Sequence, residues 1–558
     1  MIGLLILGCV NLYRWFGNTW LRLFRRRVDY VQLELSGGLP ELPETISFVQ
    51  RRVLRRSTPL SLQELRRRLQ RISDDPNTKG IILKLNGLEA SWATLQSLRD
   101  ELAHFRSTGK RVVAYVMSLD NADYYVACAT DEIIAPPTTT FSIIGLRSEV
   151  RFLKDALEKV GISAVVESVS PYKSAGEQFI NSDISSENRE QLERLLDQRF
   201  NRLVQGISEG RTLSPDAVRS LIDQAPFSGK VAFEHGLVDA LRYEDEFEEH
   251  FTTEDRKPII MLWDDAESVL RKQYARIRRK LVGVVTVEGA IMRGASRELP
   301  VPLPLLGGQQ AGSDTIIQAI RQAERNRRIA AIILYVNSPG GDAFASDLIW
   351  REALRLQQKK PVVVVMGDAA ASGGYYIAAP AASIIAQPGT ITGSIGVVSL
   401  RPVAAGLLEQ AGINTVVLSR GANSGLLSIG SEPTESERLA LRTQMFSTYS
   451  DFKQRVVEGR GIDEEQLEPI AGGRVWTGAE ALEHGLVDQL GGLPDGLLRA
   501  QELAEIPQDR TAPLLIVRGG KDKELPQPFL TTSPAEMLDV IEDVLRPRVW
   551  SILPFEGL

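Results

Sequence analysis

The sequence predicts an α/β protein that contains two tandem copies of one domain. Short runs of β-branched residues alternate with amphipathic helical patterns along the chain, which is typical of strands joined by helical crossovers. Segments of the first half also recur in the second half, in the same order. A chain of 558 residues, 43% of them hydrophobic, is long enough to bury the cores of two such domains.

The duplication rests on four pairs of similar segments, each separated by about 250 residues. The pairs are residues 80–86 (GIILKLN) with 331–337 (AIILYVN), 111–117 (RVVAYVM) with 360–366 (KPVVVVM), 161–166 with 412–417, and 234–239 with 483–488, both EHGLVD. Chance similarity between hydrophobic strands does not explain a polar motif that appears twice in register. We therefore infer an internal repeat.

Two helices and one loop within the repeats are predicted. A long amphipathic helix is indicated by apolar residues at helical spacing. These are Leu192, Leu195, Leu196, Leu203, Val204 and Ile207. A second helix is expected to begin near Thr434, because Thr434 and Glu437 have the spacing of a capping box. Residues 298–313 contain several Pro and Gly and are expected to form a surface loop.

The repeat and its flanks divide the chain into four expected segments. Residues 1–27 form an N-terminal amphipathic segment, residues 28–275 the N-terminal repeat and residues 276–500 the C-terminal repeat. Residues 501–558 form a C-terminal extension. Its apolar end (VWSILPFEGL) is expected to lie on the protein body, on a sister subunit or on the membrane.

The N-terminal segment is expected to contact membrane lipid. Residues 1–10 are almost wholly apolar, but they are about half of the roughly 20 residues that a spanning helix needs. The residues that follow separate into a polar and an apolar helical stripe, which is typical of an interfacial helix. The polar stripe is Asn11, Arg14, Asn18, Arg22 and Arg25, and the apolar stripe is Leu12, Phe16, Trp20, Leu23 and Phe24. The alternative is a helix docked on the protein body or on a neighbouring subunit.

Composition excludes several classes of function. A net charge of −6 and a pI near 5.6 argue against a nucleic-acid partner, because phosphate-binding surfaces carry a basic excess. The two cysteines, Cys9 and Cys128, lack the spacing of metal ligands. We therefore expect no metal and no cofactor.

The two copies differ most at two glycine-rich turns of the second copy. Residues 337–341 (NSPGG) follow a predicted strand, where the first copy has NGLEA. Such a turn can aim backbone N–H groups into a pocket, and it can also be an ordinary tight surface turn. Residues 367–376 (GDAAASGGYY) follow the next strand and place Ser372 where a helix can begin. Ser372 is therefore either a nucleophile or a helix-capping residue.

A serine nucleophile needs a base. The four histidines, His104, His235, His250 and His484, do not neighbour these turns, and two of them belong to the repeated EHGLVD motif. A lysine can act instead if burial leaves it neutral. Lys173 in YKSAGE is the strongest candidate, because the second copy has no lysine at this place. Its alternative reading is a solvated loop charge.

These motifs resemble the signal peptide peptidase A (protease IV) family, in its long duplicated form. The likeness extends from about residue 28 to most of the chain and includes NSPGG, GDxAASGGYY, TGSIG and YKSA. It implies that Ser372 is the nucleophile, that Lys173 is the general base and that Ser394 positions the lysine amine. It implies oxyanion donors at the N–H groups of Gly340 and Gly373. It also implies the fold of the caseinolytic protease and crotonase families, in two copies with helical insertions.

The resemblance implies a membrane-associated serine endopeptidase that degrades remnant signal peptides and other hydrophobic peptides. It implies a homo-oligomer, ring- or bowl-shaped, with a tetramer as one candidate. It also implies a catalytic body on the extracytoplasmic side of an inner, plasma or other internal membrane. Arginines 25–27 follow the apolar run and would instead keep the body cytoplasmic if that run spanned the bilayer. The alternative functions are an acyl-CoA enzyme of the crotonase type and a catalytically silent scaffold of the same fold.

Overall fold

The computed structural model describes residues 2–24, 27–43, 59–252, 256–274, 279–303, 307–520 and 548–552. The chain forms two compact units. Unit 1 comprises Met1–Arg147 and Asp197–Arg279, and unit 2 comprises Ser148–Leu196 and Lys280–Leu558. The division does not follow the sequence repeat, because residues 148–196 of the first copy belong to unit 2. Lys173 and Ser372 are therefore parts of the same unit.

The strands and helices are numbered in chain order. The strands are β1 (Tyr30–Gly37), β2 (Gly80–Leu88), β3 (Arg111–Val116), β4 (Glu132–Ala135), β5 (Thr140–Phe141), β6 (Ser163–Ser168), β7 (Phe227–Ser228), β8 (Ala240–Leu241), β9 (Ile260–Leu262), β10 (Leu281–Glu288), β11 (Ala290–Met292), β12 (Arg297–Leu303), β13 (Gly307–Gly312), β14 (Ile329–Ser338), β15 (Gly340–Asp342), β16 (Val362–Ala371), β17 (Ser383–Ala386), β18 (Ile391–Gly393), β19 (Val398–Val403), β20 (Val475–Thr477), β21 (Gln489–Leu490), β22 (Leu514–Ile516) and β23 (Arg548–Ile552). The helices are α1 (Ile2–Phe24), α2 (Leu62–Ser73), α3 (Trp92–Ser107), α4 (Asn121–Ala127), α5 (Lys154–Lys159), α6 (Glu177–Ile180), α7 (Ser186–Arg211), α8 (Pro215–Gln224), α9 (Gly229–Glu234), α10 (Phe247–His250), α11 (Trp263–Val269), α12 (Ser313–Arg325), α13 (Ala343–Gln357), α14 (Gly373–Ala378), α15 (Ala405–Gln410), α16 (Glu435–Arg460), α17 (Glu464–Leu467), α18 (Gly478–Glu483) and α19 (Leu493–Leu503).

Unit 1 is built on a six-stranded parallel sheet. Its strand order is β8-β4-β3-β2-β1-β9. Consecutive residues of the central strand β2, Ile81, Ile82 and Leu83, are all fully buried. Burial of side chains on both faces is typical of a parallel sheet that is covered on both sides.

Unit 2 contains a sheet with the same order of corresponding strands, β21-β17-β16-β14-β10-β22, and all of these pairings are parallel. The end of β16 pairs in addition with β18, which pairs antiparallel with β20. The agreement between the two sheets confirms the predicted α/β fold and its duplication.

A second sheet of unit 2 has seven strands in the order β12-β13-β11-β15-β23-β19-β6. It combines β6 from the first repeat, β19 from the second and the short C-terminal strand β23. The pairing of β6 with β19 is antiparallel and extends over six residue pairs, from Ser163 opposite Val403 to Ser168 opposite Val398. This pairing brings the end of β6, and with it the Lys173 loop, into unit 2.

The two helix predictions are confirmed. The first predicted helix is α7, in which Leu195, Leu203 and Ile207 are buried. The second is α16, whose N-cap Thr434 forms a capping box with Glu437. The side chain of Thr434 accepts from the Glu437 backbone, and the Glu437 side chain accepts from the Thr434 backbone.

The predicted surface loop at residues 298–313 is wrong. Glu298 pairs with Gln309 in an antiparallel hairpin of β12 and β13, and α12 begins at Ser313. The prolines, which favoured a loop, lie within a strand. β12 is the edge strand of its sheet, and its prolines fall in the irregular part of the pairing between Glu298 and Leu303, where a missing N–H is tolerated.

The N-terminal helix α1 extends over 23 residues, and the structure describes its side chains between residues 8 and 19. Its polar stripe lies on unit 1: Arg14 donates to the Gln273 carbonyl at 2.6 Å, and Asn18 donates to the Lys272 carbonyl at 2.9 Å. Leu12 and Phe16 of the apolar stripe are 56% and 59% exposed. The side chains of Trp20, Arg22, Leu23, Phe24 and Arg25 lie outside the described residues. Within the described ranges, no helix combines the length and the apolar character needed to cross a membrane.

Candidate active site

Ser372 stands at the junction of a strand and a helix. β16 ends at Ala371 and α14 begins at Gly373. The φ and ψ angles of Ser372 are 53° and −115°, a sparsely populated backbone conformation that costs about 1–3 kcal/mol for a residue with a side chain. The Ser372 N–H donates to the Gly393 carbonyl at 2.8 Å, which holds the junction against β18. Backbone strain that is held by its surroundings is typical of functional sites.

The strand that leads to Ser372 is fixed on both sides. The Asn337 Oδ1 accepts from the N–H groups of Asp368 and Ala369 at 3.1 and 3.2 Å. The Thr392 hydroxyl donates to the Ala370 carbonyl at 2.7 Å. These bonds satisfy backbone groups where β16 departs from regular pairing.

Lys173 lies in the loop after β6, and only 1% of it is exposed. Its Nζ is 2.6 Å from the Ser372 Oγ. The same Nζ is 3.0 Å from the Ser394 carbonyl oxygen and 2.9 Å from the Ser394 Oγ. Three of the residues singled out from the sequence therefore meet within hydrogen-bond distance.

Burial sets the protonation of this lysine. It lowers the pKa of Lys173 well below its usual value of 10.5. The three oxygens that the structure describes around Nζ are hydroxyl and carbonyl groups, which carry no charge. A buried amine without a negative partner favours its neutral form. The solvated loop charge, which was the alternative for Lys173, is not what the structure contains.

Ser394 has the second strained backbone in this region, with a φ of 50°. It follows Gly393 at the end of β18, and its N–H donates to the Arg474 carbonyl at 2.7 Å. Ser394 is fully buried. Its hydroxyl and carbonyl oxygens thus face Lys173 from a rigid position.

The Lys173 loop is clamped by residues that the sequence did not single out. Gln191 of α7 donates to the Tyr172 carbonyl at 3.1 Å and accepts from the Val475 N–H at 3.1 Å. The Arg474 guanidinium lies 3.5 Å from the centre of the Tyr172 ring. Gln191 therefore ties the loop directly to β20.

Gly473 is a further residue that the sequence did not reveal. Its φ is +86°, and a Cβ at this position would lie 2.6 Å from the Cβ of Lys173. Its N–H donates to the Ile395 carbonyl at 2.8 Å. The preceding Gly472 accepts from the Ser170 hydroxyl. The glycine doublet at 472–473 is the sequence signal that could have identified this contact.

The two predicted oxyanion donors lie in the glycine-rich turns. Gly340 has a φ of 108°, and its N–H donates to the Ser338 Oγ at 3.2 Å. Gly373 is the first residue of α14, so its N–H has no acceptor within the helix. The two turns approach closely at Gly374, where a Cβ would lie 2.9 Å from the Ser338 carbonyl oxygen.

The C-terminal strand β23 runs beside the first of these turns. It pairs antiparallel with β15 on one side, with Ile552 opposite Gly340. It pairs antiparallel with β19 on its other side, with Trp550 opposite Val398. An extended segment of this chain therefore occupies the gap between β15 and β19, next to the Gly340 turn.

In unit 1, a carboxylate fills the turn that corresponds to the Gly340 turn of unit 2. Asp123, which aligns with Gly374, accepts from the N–H groups of Gly87 and Leu88 at 2.8 and 3.0 Å. Burial raises the pKa of Asp123 to about 6. The first copy thus fills its turn with its own side chain and has asparagine, Asn121, at the position of Ser372.

The repeated EHGLVD motif has a structural role in each unit. Asp239 accepts from the Ile133 N–H and pairs with Arg211, and Asp488 accepts from the Ile384 N–H and pairs with Arg460. His235 and His484 lie against the Phe227 and Trp476 rings, respectively. Across the described ranges, no group of three His, Cys, Asp or Glu side chains is placed to hold a metal ion.

Comparisons with known proteins define the class of this protein. The chain is 33% identical over 508 residues to "Serine protease SPPA, chloroplastic" of Arabidopsis thaliana, which covers 90% of this chain and 72% of that protein. It is 33% identical over 460 residues to "Protease 4" of Haemophilus influenzae, covering 79% of this chain and 72% of that protein. "Protease 4" of Salmonella typhi is 31% identical over 501 residues, covering 85% and 78%. The chain is a serine peptidase.

The family follows from two matched segments. The profile described as Peptidase family S49 matches residues 104–255 and 354–507, and the profile described as Clp protease matches residues 307–389. The chain belongs to peptidase family S49, whose domain it contains twice. Membership in this family argues against the acyl-CoA enzyme and the silent scaffold.

Proposed function

We propose that this peptidase cleaves peptide bonds through a serine-lysine dyad, with Ser372 as the nucleophile and Lys173 as the general base. The observation that carries the proposal is the 2.6 Å distance between the Lys173 Nζ and the Ser372 Oγ in a fully buried setting. A serine hydroxyl is weakly nucleophilic until a neighbouring base takes its proton. The Lys173 amine lies within reach of that proton.

The hydrogen bonds around Nζ fit a neutral amine. A neutral lysine has two N–H bonds and one lone pair. Donation to the Ser394 carbonyl and to the Ser394 Oγ uses both N–H bonds and leaves the lone pair for the Ser372 hydroxyl proton. We therefore assign Ser394 to positioning the lysine, as the family resemblance implies.

The reaction has two halves. In the first, the Ser372 oxygen bonds to the peptide carbonyl carbon while its proton passes to Lys173. The C–N bond of the substrate then breaks, and the lysine returns the proton to the leaving amine. In the second, water gives a proton to Lys173 and its oxygen attacks the acyl-enzyme ester. The C–O bond to Ser372 then breaks, the acid product leaves, and Lys173 returns the proton to the Ser372 oxygen.

The oxyanion of each tetrahedral intermediate is assigned to the N–H groups of Gly340 and Gly373. One such donor contributes about 3 kcal/mol to transition-state stabilisation in comparable enzymes. Gly373 begins α14, so its N–H is available to a ligand. The Gly340 N–H must turn from the Ser338 Oγ, its acceptor in this structure, toward the substrate oxygen.

The substrate is proposed to bind as an extended strand between β15 and β19, in the gap that β23 occupies here. Backbone pairing of this kind accepts many sequences, because main-chain hydrogen bonds supply the affinity. We propose remnant signal peptides and other hydrophobic peptides as the substrates. The relatives named as proteases support peptide cleavage, and the resemblance to the signal peptide peptidase A family supports hydrophobic peptides.

The enzyme is also proposed to work at a lipid surface and as a homo-oligomer. The polar stripe of α1 is hydrogen-bonded to residues 272–273, whereas Leu12, Tyr13, Trp15 and Phe16 are between 49% and 71% exposed. Exposed aromatic and aliphatic side chains on one helix face suit the boundary of a bilayer. The extracytoplasmic side is proposed from the family resemblance.

Activity-based labelling tests the assignment of the nucleophile. A fluorophosphonate probe should label the wild-type chain on Ser372, as located by peptide mass spectrometry, and the Ser372→Ala variant should neither be labelled nor cleave peptides. Ser383→Ala is the matched control, because it removes another buried serine hydroxyl, on β17 and outside both glycine-rich turns. Labelling of a different serine would refute the assignment.

A further inference from the structure

The duplication predicts a second strand pairing, equivalent to that of β6 with β19, which is not formed in this structure. β6 of the first repeat pairs with β19 of the second. Residues 161 and 412 align in the repeat, so β6 corresponds to residues 414–419 and β19 corresponds to residues 147–152. Each chain therefore carries one β6-like and one β19-like segment in addition to the pair that it uses.

Neither counterpart is a strand in this structure. Among the residues that the structure describes, 142–153 and 413–420 have no strand assignment. The β6-like segment exposes three consecutive apolar residues: Val416 is 83% exposed, Val417 70% and Leu418 90%. In β6 the aligned Val165 and Val166 are only partly exposed. Contiguous exposed apolar surface of this kind marks an interaction site.

A glycine supports the same conclusion. Gly161 precedes β6 with a φ of +73°, and a Cβ there would lie 2.3 Å from the Leu407 backbone nitrogen. The Leu407 N–H donates to the Gly161 carbonyl at 2.7 Å. The aligned Gly412 has nearly the same φ, +72°, but nothing lies within 4 Å of its Cβ position. The turn is therefore built alike in both copies, and the contact is made in only one.

We propose that residues 414–419 of one copy pair antiparallel with residues 147–152 of a second copy of this chain. The register of β6 with β19 carries over directly: Ser163 pairs with Val403 and Ser168 with Val398. The same offset places Leu418 opposite Ser148, and Val416 opposite Val150, of the neighbouring copy. Backbone pairing would cover the exposed valines and satisfy an open strand edge.

The contact joins two different surfaces, so it is head-to-tail and repeats from copy to copy. Such a contact closes into a ring when the rotation per subunit permits, and it otherwise continues as a filament. No active site forms at this contact, because the position of Lys173 is occupied by Ser424 in the second copy. The interface deepens the proposed homo-oligomer and does not depend on the dyad.

Cysteine cross-linking tests the register. In a Cys9→Ser background, the pair Leu418→Cys and Ser148→Cys should form disulfide-linked multimers under mild oxidation, because antiparallel strands bring opposite residues within bonding distance. The aligned pair Glu167→Cys and Ser399→Cys, opposite each other in β6 and β19, should form the same bond within one chain. This intramolecular pair is the matched control for geometry and oxidation. A cross-linked control without cross-linked multimers would overturn the proposal.

Light scattering after size-exclusion chromatography tests two points separately: whether the chain is oligomeric, and whether residues 414–419 form the contact between copies. The wild-type chain should be oligomeric, and Val416→Pro should shift it to monomer, because proline removes a strand N–H and cannot join a ladder. Leu262→Lys, at another exposed apolar residue, should leave the mass unchanged. An oligomeric Val416→Pro variant would overturn this interface, and a monomeric wild-type chain would overturn the homo-oligomer as well. Fluorophosphonate labelling of the same samples reports the dyad independently.

Discussion

Gly473 and Lys173 are in direct contact: a Cβ on Gly473 would lie 2.6 Å from the Cβ of Lys173. This contact fixes where the lysine backbone can lie and hence how far Nζ reaches toward Ser372. The glycine also has a φ of +86°, which a residue with a side chain adopts only at a cost. Lys173 is therefore positioned from the C-terminal repeat as well as by its own loop.

Gly473→Ala is expected to lower kcat by at least about 10-fold, because a displacement of about 1 Å in a catalytic group has a large effect on rate. The matched control is Gly461→Ala. Gly461 has a similar φ, +64°, but open space around it, so the control carries the backbone cost alone. Steady-state kinetics with a fluorogenic peptide compares the two. Equal kcat values for both variants would remove the positioning role of Gly473.

The duplication and the Ser372 turn were predictable because both leave local traces in the sequence. A polar hexapeptide repeated in register identifies the two copies, and small residues around a serine identify the turn. The base was not predictable from the residues alone. Lysine becomes a base through burial, and Lys173 is covered by Ser394 and Gly473, which are distant in sequence.

The sequence also did not show that residues 148–196 of the first repeat pack in unit 2. The repeat shows which segments are alike but not which copy each segment packs with. β6 and β19 come from different repeats, so their pairing cannot be predicted from either repeat alone. The strand character of β23 and of β12 also depends on partners in the second sheet of unit 2, because isolated short strands carry little signal of their own.

The pH dependence of stability should report the buried amine. The pKa of Lys173 is lowered in the folded protein, so below pH 10.5 the unfolded chain binds more protons than the folded one. The free-energy cost of burying this amine therefore decreases, and the free energy of unfolding increases, as pH rises from the lowered pKa toward 10.5. Lys173→Met should be more stable than the wild-type chain at pH 7, and the difference should shrink at pH 9 to 10. Urea unfolding at each pH measures it, and a constant difference would indicate that Lys173 is charged when folded.

Removal of β23 should increase activity toward peptides. The strand occupies the gap between β15 and β19 in which we place the substrate. Truncation of residues 521–558 is expected to lower KM several-fold, because the substrate no longer competes with a tethered strand. Truncation of residues 553–558 alone retains β23 and is the matched control. A higher KM after the longer truncation would instead make β23 part of the binding site.

Lipid binding should depend on the exposed face of α1. Phe16→Glu removes an apolar ring from the face opposite Arg14 and Asn18, and vesicle affinity is expected to fall about 10-fold or more, in line with about 1.5–3 kcal/mol for a buried apolar side chain. Sedimentation with vesicles containing anionic lipid measures the affinity. Phe233→Glu alters another exposed ring, on α9, and should have little effect. If both variants bind like the wild-type chain, α1 is not the lipid contact.

The most direct test of the dyad is the pH dependence of fluorophosphonate labelling at Ser372. The reaction needs neutral Lys173, so the labelling rate of the wild-type chain should rise with pH through a single pKa well below 10.5 and then reach a plateau. Lys173→Ala and Lys173→Arg should lower the plateau by a factor on the order of 10³ or more and abolish this pKa, since arginine stays protonated. A Lys173→Ala variant that is labelled at the wild-type rate, with an unchanged pH profile, would contradict the dyad.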